Sequence, residues 1–219
     1  EIVQRFEGHT GAVVSLAISP DVVPATGRYV ALSGAMDRSL IFWDFSGGTI
    51  LYKKSGYETT MDALDDAQQN GHFDVVWAVG FTSGGQAFSA SQDENVILWD
   101  LGTGMPEKVT HLAAGFFGGV AGTEGATVIL GTLNSQVLVV DAGAGQVLLD
   151  LHGHTSRVLA LALMPDKRGV VSGGDDGTLR LWDLHGGAEV RILPYPGALV
   201  AATAVDIAPD QRRGLVAWM

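Results

Sequence analysis

The chain has 219 residues, of which 47% are hydrophobic and 17% charged, so it has ample material for a core and no compositional sign of disorder. Its formal net charge of −11 repels phosphate backbones and disfavours nucleic-acid binding. The absence of cysteine excludes disulfides and cysteine-ligated zinc, and no apolar run approaches the roughly 20 residues of a membrane span. The 30 glycines indicate many tight turns, which all-β chains need.

Short apolar or alternating runs follow one another along the first quarter of the chain. Gly, Asp, Asn or Pro separate the runs AVVSLAIS, RYVALSG, SLIFWDF and TILYKKS, so each run predicts one β-strand. These strands fall within residues 7–56, the first repeat unit. Residues 1–6, EIVQRF, predict the last strand of a preceding or closing unit. Residues 57–69 form a polar insertion that lacks strand alternation.

A motif that ends in Trp-Asp recurs along the chain and defines the repeat. Its strong copies are SLIFWDF, NVILWDL and TLRLWDL, and a weaker copy is QVLVVDA. The four closing aspartates, at positions 44, 100, 141 and 183, are 56, 41 and 42 residues apart. A Gly-His pair keeps the same phase in EGHTGAV, NGHFDVV and HGHTSRV. The further units therefore occupy residues 70–110, 111–150 and 151–194, with a partial unit at 197–219.

With these Gly-His and Trp-Asp signatures at a period of about 40 residues, the chain resembles the WD-repeat (WD40) β-propeller family over essentially its whole length. The resemblance implies an all-β propeller of four-stranded antiparallel blades, about four blades with partial blades at both ends. Because rings of this family usually close with about seven blades, the chain is interpreted as a fragment of a larger ring. The alternative is a complete short chain that closes a ring with a second copy of itself.

Each strong unit contains a Ser, a His and an Asp, the residue types of a hydrolase triad. The serine precedes the aspartate by four residues and the aspartate precedes the tryptophan by six, in all three units. A catalytic site is normally built once, so the repetition favours a structural role, and the resemblance implies a hydrogen-bonded network inside each blade. The expected network residues are His9, Ser33, Asp37, Trp43, His72, Ser89, Asp93, Trp99, His154, Ser172, Asp176 and Trp182.

The third unit departs from this pattern. Leu130, Asn134 and Val140 stand at the places of its serine, aspartate and tryptophan, and His111 is the candidate for the histidine. Its network is therefore expected to be missing or replaced by apolar packing.

Other motifs do not predict catalysis, metal binding or a cofactor. Residues 66–71, DAQQNG, imitate the start of a calcium loop, but Gln68 and Trp77 stand where acidic ligands are required. His152 and His154 alternate without a third ligand nearby, and His154 is expected in the blade network. We therefore expect no catalytic, metal-binding or cofactor-binding residues.

Partners of this family often bind to the loops after the Gly-His pair and before the network aspartate. Carried over to this sequence, the resemblance implies partner contacts at Val75, Trp77, Arg157, Leu159, Met36, Gln92 and Asp175. Trp and Arg are the types most enriched at interface hot spots, whereas Asp175 is expected simply to face solvent. The alternative for Trp77 is structural packing beneath the insertion at residues 57–69.

The function that follows is a non-enzymatic scaffold for protein–protein interactions, which binds other proteins or peptide segments. The alternative is the sensor or autoinhibitory region of a larger signalling enzyme, a kinase or NTPase, whose catalytic domain lies outside this chain. A propeller hydrolase or redox enzyme would need an unrepeated cluster of acids, bases or metal ligands, and no such cluster is evident. A homo-oligomer is expected only if the chain is complete. The composition favours a cytoplasmic and bacterial protein.

Overall fold

A computed structural model describes residues 4–55, 71–122, 124–194, 201–210 and 213–218. Blade 1 comprises β1 (Val13–Ile18), β2 (Val30–Ala35), β3 (Ser39–Asp44) and β4 (Thr49–Ser55). Blade 2 comprises β5 (Val76–Phe81), β6 (Ala87–Ser91), β7 (Asn95–Trp99) and β8 (Pro106–His111).

Two further blades and a hairpin follow. Blade 3 comprises β9 (Phe116–Ala121), β10 (Thr127–Thr132), β11 (Gln136–Asp141) and β12 (Gln146–His152). Blade 4 comprises β13 (Val158–Leu163), β14 (Gly169–Gly174), β15 (Thr178–Asp183) and β16 (Glu189–Pro194). The hairpin pairs β17 (Ala202–Ile207) with β18 (Gly214–Trp218). The insertion at residues 57–69 and part of the last unit lie outside the described residues.

Each blade is an antiparallel meander in which consecutive strands pair, so the strand order in the sheet is the order in the chain. The prediction of an all-β chain with four-stranded antiparallel sheets is confirmed. The first strand of each blade carries an irregularity near its start, for example between Val13 and Ser15 in β1 and between Val76 and Ala78 in β5. Such bulges increase local twist and let one extra residue enter the strand without a ladder partner.

The hydrophobic cores lie between blades, because the two middle strands of blade 1, β2 and β3, are buried on both faces, whereas β15 of blade 4 is only partly buried. Between blades 1 and 2, Phe42 meets Trp99 edge to face, with ring centroids 5.9 Å apart. Phe88 and Phe116 belong to the core between blades 2 and 3, and Trp182 to the core between blades 3 and 4. The first strands β1, β5, β9, β13 and β17 pack side by side in that order and line one channel.

The aspartate of each Trp-Asp motif organises the turn that follows it. The carboxylate of Asp44 accepts hydrogen bonds from the backbone N–H groups of Ser46 and Gly47, each at 3.0 Å. Gly48 then takes a left-handed φ of +67°, which glycine adopts without steric cost. The N–H bond from Gly47, the charge of Arg28 and the N–H bond from Ser46 hold the pKa of Asp44 below its usual range. Asp183 makes the equivalent turn in blade 4.

Candidate functional site

The serine, histidine, aspartate and tryptophan of blade 4 form one continuous hydrogen-bonded chain. The Trp182 indole donates to Ser172 Oγ at 2.7 Å, and Ser172 Oγ lies 2.7 Å from His154 Nε2. His154 Nδ1 lies 2.9 Å from Asp176 Oδ2. The pattern is satisfied when the serine hydroxyl donates to Nε2 and the neutral imidazole donates from Nδ1 to the carboxylate. Every polar side-chain group of these four residues then has a partner.

Blades 1 and 2 repeat this arrangement. In blade 2, Ser89 Oγ lies 2.8 Å from the Trp99 indole nitrogen and 2.7 Å from His72 Nε2, and His72 Nδ1 lies 3.0 Å from Asp93. The corresponding blade 1 distances, among His9, Ser33, Asp37 and Trp43, are 2.8, 2.7 and 3.2 Å. The three serines are buried, and each hydroxyl accepts the indole N–H of a tryptophan within its own blade. In blade 1, Ser33 and His9 also line a cavity of about 700 Å³.

The network aspartates are ionised although they are largely buried. Burial alone would raise the pKa of Asp93, but the hydrogen bond and charge of His72 and backbone N–H donors outweigh it and hold the pKa below its usual range. The pKa of Asp176 is lowered against burial in the same way, with the hydroxyl of Thr178 as the first compensating donor. For His154, burial lowers the pKa and outweighs the opposing effect of Asp176, so the imidazole favours its neutral form.

Each network aspartate also connects two loops. Asp176 accepts from the N–H of Thr155, at 2.9 Å, in the loop after the Gly-His pair, and from the hydroxyl of Thr178, at 2.7 Å, in its own hairpin. In blade 1 the equivalent hydroxyl, Ser39, donates to Asp37 at 2.6 Å. The sequence reasoning missed this hydroxyl two residues after the aspartate, although it recurs in blades 1 and 4.

Blade 3 lacks the network, and of the two sequence alternatives, His111 at the histidine position or a register shifted by one residue, the structure has the shifted register. His111 ends β8, is exposed, and pairs with Glu94 at 3.5 Å. The register places Leu112 at the histidine position, where it packs against the core formed with Leu130 and Val140. The blade 3 network is thus replaced by apolar packing. Its histidine position is Leu112, one residue after the candidate His111.

The candidate binding surface is the channel mouth, which we define as Trp77, Phe117, Arg157, Leu159 and Asp175. These residues line one cavity of about 640 Å³ between the innermost strands. Trp77, Phe117 and Leu159 are the second residues of β5, β9 and β13, so the same register position on neighbouring blades brings them together.

Aromatic and ionic contacts connect the blades at the channel mouth. The rings of Trp77 and Phe117 lie 4.8 Å apart between centroids, and the Arg157 guanidinium lies 5.4 Å from the centre of the Phe117 ring. Arg157 also forms an ion pair with Asp175, which is partly buried rather than simply facing solvent. The Trp77 indole N–H donates to Gln92 at 3.4 Å.

The remaining residues predicted for partner binding surround this surface or lie away from it. Val75 is partly buried, and its carbonyl accepts from the N–H of Gln92 at 3.2 Å. Met36 is half-exposed and does not line the cavity. Trp77 contacts Phe117 and Gln92 among the described residues, while the insertion proposed to cover it lies outside them.

Phe117 was missed by the sequence reasoning. The signal was its alignment with Trp77, two positions into the first strand of the blade. Because blade 3 has no Gly-His pair, that alignment could not be anchored from sequence.

Possible metal and membrane sites were also considered. The calcium-like residues 66–71 fall almost entirely outside the described part of the chain. His152 is exposed and pairs with Asp150, whereas His154 is engaged in the blade 4 network. Within the described ranges, no group of three or more His, Asp or Glu residues could hold a metal ion. Nor does any helix in those ranges have the length and apolar character needed to cross a membrane.

Comparison with known proteins places these features in context. The family model "WD domain, G-beta repeat" matches residues 1–44, 67–100 and 145–183, and these segments leave out most of blade 3. The chain is 30% identical to pre-mRNA-processing factor 17 of Saccharomyces cerevisiae over 84% of its length, which is 37% of that protein. It is 24% identical to a guanine nucleotide-binding protein subunit beta of Arabidopsis thaliana, over 86% of the chain and 60% of that protein.

Solved structures give the same architecture. The WD40 β-propeller domain of Doa1 superposes with a TM-score of 0.77 at 22% identity, over 95% of this chain and 62% of that one. The chain therefore spans less than two thirds of each of these proteins.

Proposed function

The chain belongs to the WD40 family of β-propellers, and we propose that it acts as a non-enzymatic scaffold whose channel mouth binds a segment of a partner protein. The observation that carries the proposal is the pair Trp77 and Phe117. Their rings are only partly buried and line the channel, whereas the tryptophans of the three networks are buried in or beside the blade cores. Large aromatic side chains beside an arginine are the composition of interface hot spots.

The polar residues support the same proposal. All three Ser-His-Asp sets are hydrogen-bonded within their blades in the same arrangement, and this repetition supports a role in the scaffold. Among the relatives, one is named as a subunit of a guanine nucleotide-binding protein and another, from Mus musculus, as a regulator of a tRNA methyltransferase. By analogy, we infer that this chain also contributes contacts rather than catalysis. A role as sensor region of a larger kinase or NTPase stays a prediction.

Affinity capture with matched variants tests the proposal. Phe117→Ala removes one ring of the channel mouth, and Leu148→Ala removes a half-exposed side chain from the outer strand β12 of the same blade. We expect a set of proteins to be captured by the wild type and by Leu148→Ala but lost with Phe117→Ala. A partner from this set, purified and titrated, should bind Phe117→Ala about tenfold or more weakly. Equal loss with both variants, or no loss with either, would overturn the assignment.

A further inference from the structure

We propose that the channel mouth accepts a bulky, uncharged apolar side chain at the tip of the partner segment. This inference rests on the proposed function and names the chemistry of the ligand at that surface. The charge balance of the cavity and the nature of its walls carry it.

The charges that line the cavity cancel one another. Arg157 and Asp175 are its charged lining residues among those described, and they form an ion pair in which Nε and Nη2 of the guanidinium face the carboxylate. At this ion pair an anionic ligand would meet Asp175 beside the cation, and a cationic ligand would meet Arg157 beside the anion. A charged group would therefore lose its hydration without gaining a net opposite charge.

The ring faces disfavour a cation for a second reason. The best place for a ligand cation is over an aromatic face, and the Arg157 guanidinium already lies over Phe117. The neighbouring ring, Trp77, is in contact with Phe117, so a second cation near this pair would lie close to the guanidinium. Like-charge repulsion would oppose it.

The walls favour an apolar group. Below the aromatic pair, the lining consists mainly of small or aliphatic side chains, including Ala78, Val79, Ala160 and Leu161. These residues are buried in β5 and β13, each of which packs against β9, so the cavity is formed before a ligand arrives. A volume of about 640 Å³ is ample for an aromatic or branched aliphatic side chain with its flanking backbone.

The test uses the full chain labelled with 5-fluorotryptophan and observed by ¹⁹F NMR. Trp77→Phe identifies the Trp77 resonance among the five tryptophans, and Trp99, buried in its network, is the internal control. The probes are three capped peptides, Gly-Gly-X-Gly-Gly, in which X is Phe, Lys or Asp. We expect the Phe peptide to shift the Trp77 resonance saturably, with a Kd in the millimolar range, and the other two peptides to leave it unchanged.

Three variants make the outcome specific. Phe117→Ala should weaken the Phe peptide about fivefold or more, while Leu148→Ala leaves its affinity unchanged. Asp175→Asn leaves the Arg157 charge uncompensated, so the Asp peptide, which leaves the wild-type resonance unchanged, should shift the Trp77 resonance of this variant saturably.

The results separate this inference from the proposed function. A larger shift with the Lys or Asp peptide on the wild-type protein overturns the apolar ligand and leaves the scaffold proposal standing. Failure of all three peptides to move Trp77 also overturns it. Loss of the proposed function itself is measured independently, by equal capture with Phe117→Ala and Leu148→Ala.

Discussion

Blades 2 and 3 have the same strand topology but are stabilised differently. In blade 2, Ser89 connects the tryptophan to the histidine, and Asp93 accepts the N–H of Asn95 in the following hairpin at 3.0 Å. In blade 3 the serine position is Leu130, fully buried, and the aspartate position is Asn134, exposed.

The blade 3 hairpin is closed by another residue. The N–H of Gln136 donates to the hydroxyl of Thr132 at 3.0 Å, and that hydroxyl donates back to the Gln136 carbonyl at 3.1 Å. The residue after the aspartate position keeps the same left-handed backbone, with a φ of +68° at Glu94 and +67° at Ser135. The comparison teaches that hairpin geometry does not require the network. The network adds a connection between the hairpin and the loop after the Gly-His pair.

The largest expected effect comes from imposing one network residue on blade 3. Leu130→Ser removes a buried aliphatic side chain from the core between blades 2 and 3 and leaves a hydroxyl without the indole and imidazole partners that Ser89 has. We expect a loss of about 3 to 5 kcal/mol in the free energy of unfolding, measured by urea titration. The control Leu148→Ser, on the exposed strand β12, should cost less than about 1 kcal/mol. A small loss for Leu130→Ser would show that blade 3 tolerates a partial network.

The second comparison replaces the residue at the aspartate position by alanine in blade 2 and in blade 3. Asp93→Ala should lower the free energy of unfolding by roughly 2 to 4 kcal/mol, because His72 and the N–H groups of Phe73 and Asn95 lose their acceptor. Asn134→Ala should change it by less than about 0.5 kcal/mol, since Asn134 is exposed and Thr132 closes that turn. Chemical denaturation of both variants decides the matter, and equal losses would contradict a special role for the network.

Lowering the pH should destabilise blade 4 more than blade 3. The pKa of His154 is lowered in the folded state, so the unfolded chain binds more protons below pH about 6.5, and stability is lost as the pH falls from there. The lowered pKa of Asp176 acts with the same sign at lower pH, below about 4. Hydrogen exchange from pH 7.5 to 5.5, corrected for intrinsic rates, should show β14 and β15 losing protection before β10 and β11. Parallel loss in both blades would argue against this coupling.

The smallest expected effect on stability concerns the left-handed hairpin residue that blades 2 and 3 share. Glu94→Gly and Ser135→Gly place glycine where the backbone already has a positive φ, which relieves steric strain but adds unfolded-state entropy. We expect each to raise the free energy of unfolding by at most about 1 kcal/mol, and by the same amount in both blades. Thermal melts should show the two small upward shifts. A clear difference between the variants would mean that the hairpins are not equivalent.

Most residues of the networks could be located from the amino-acid sequence. The spacing from serine to aspartate to tryptophan lies within one hairpin, where strand register alone sets which side chains meet, so three sets could be located before the structure. The histidine lies across a loop of variable length, which is why His111 was chosen where the register selects Leu112.

The channel mouth was less accessible to prediction because its contacts join different blades. Trp77 meets Phe117 through the arrangement of β5 against β9, and no spacing along the chain encodes that distance. The pairing of Asp175 with Arg157 joins two loops that the sequence separates by 18 residues. Such contacts depend on the three-dimensional course of both loops.

In all four blades, the residue before the aspartate position is anchored by its backbone, whatever its side chain. The residue before each network aspartate, or before Asn134, is anchored by its own N–H, which donates to a carbonyl at the start of the inner strand, as Gln92 does to Val75 and Asp175 to Arg157. In successive blades this position holds Met36, Gln92, Leu133 and Asp175, four different chemistries on one backbone arrangement. The identity of the side chain there is free to vary, because its backbone supplies the anchoring. Substitutions at this position can therefore change the binding preference of one blade at a time, while the backbone hydrogen bond that anchors the position is kept.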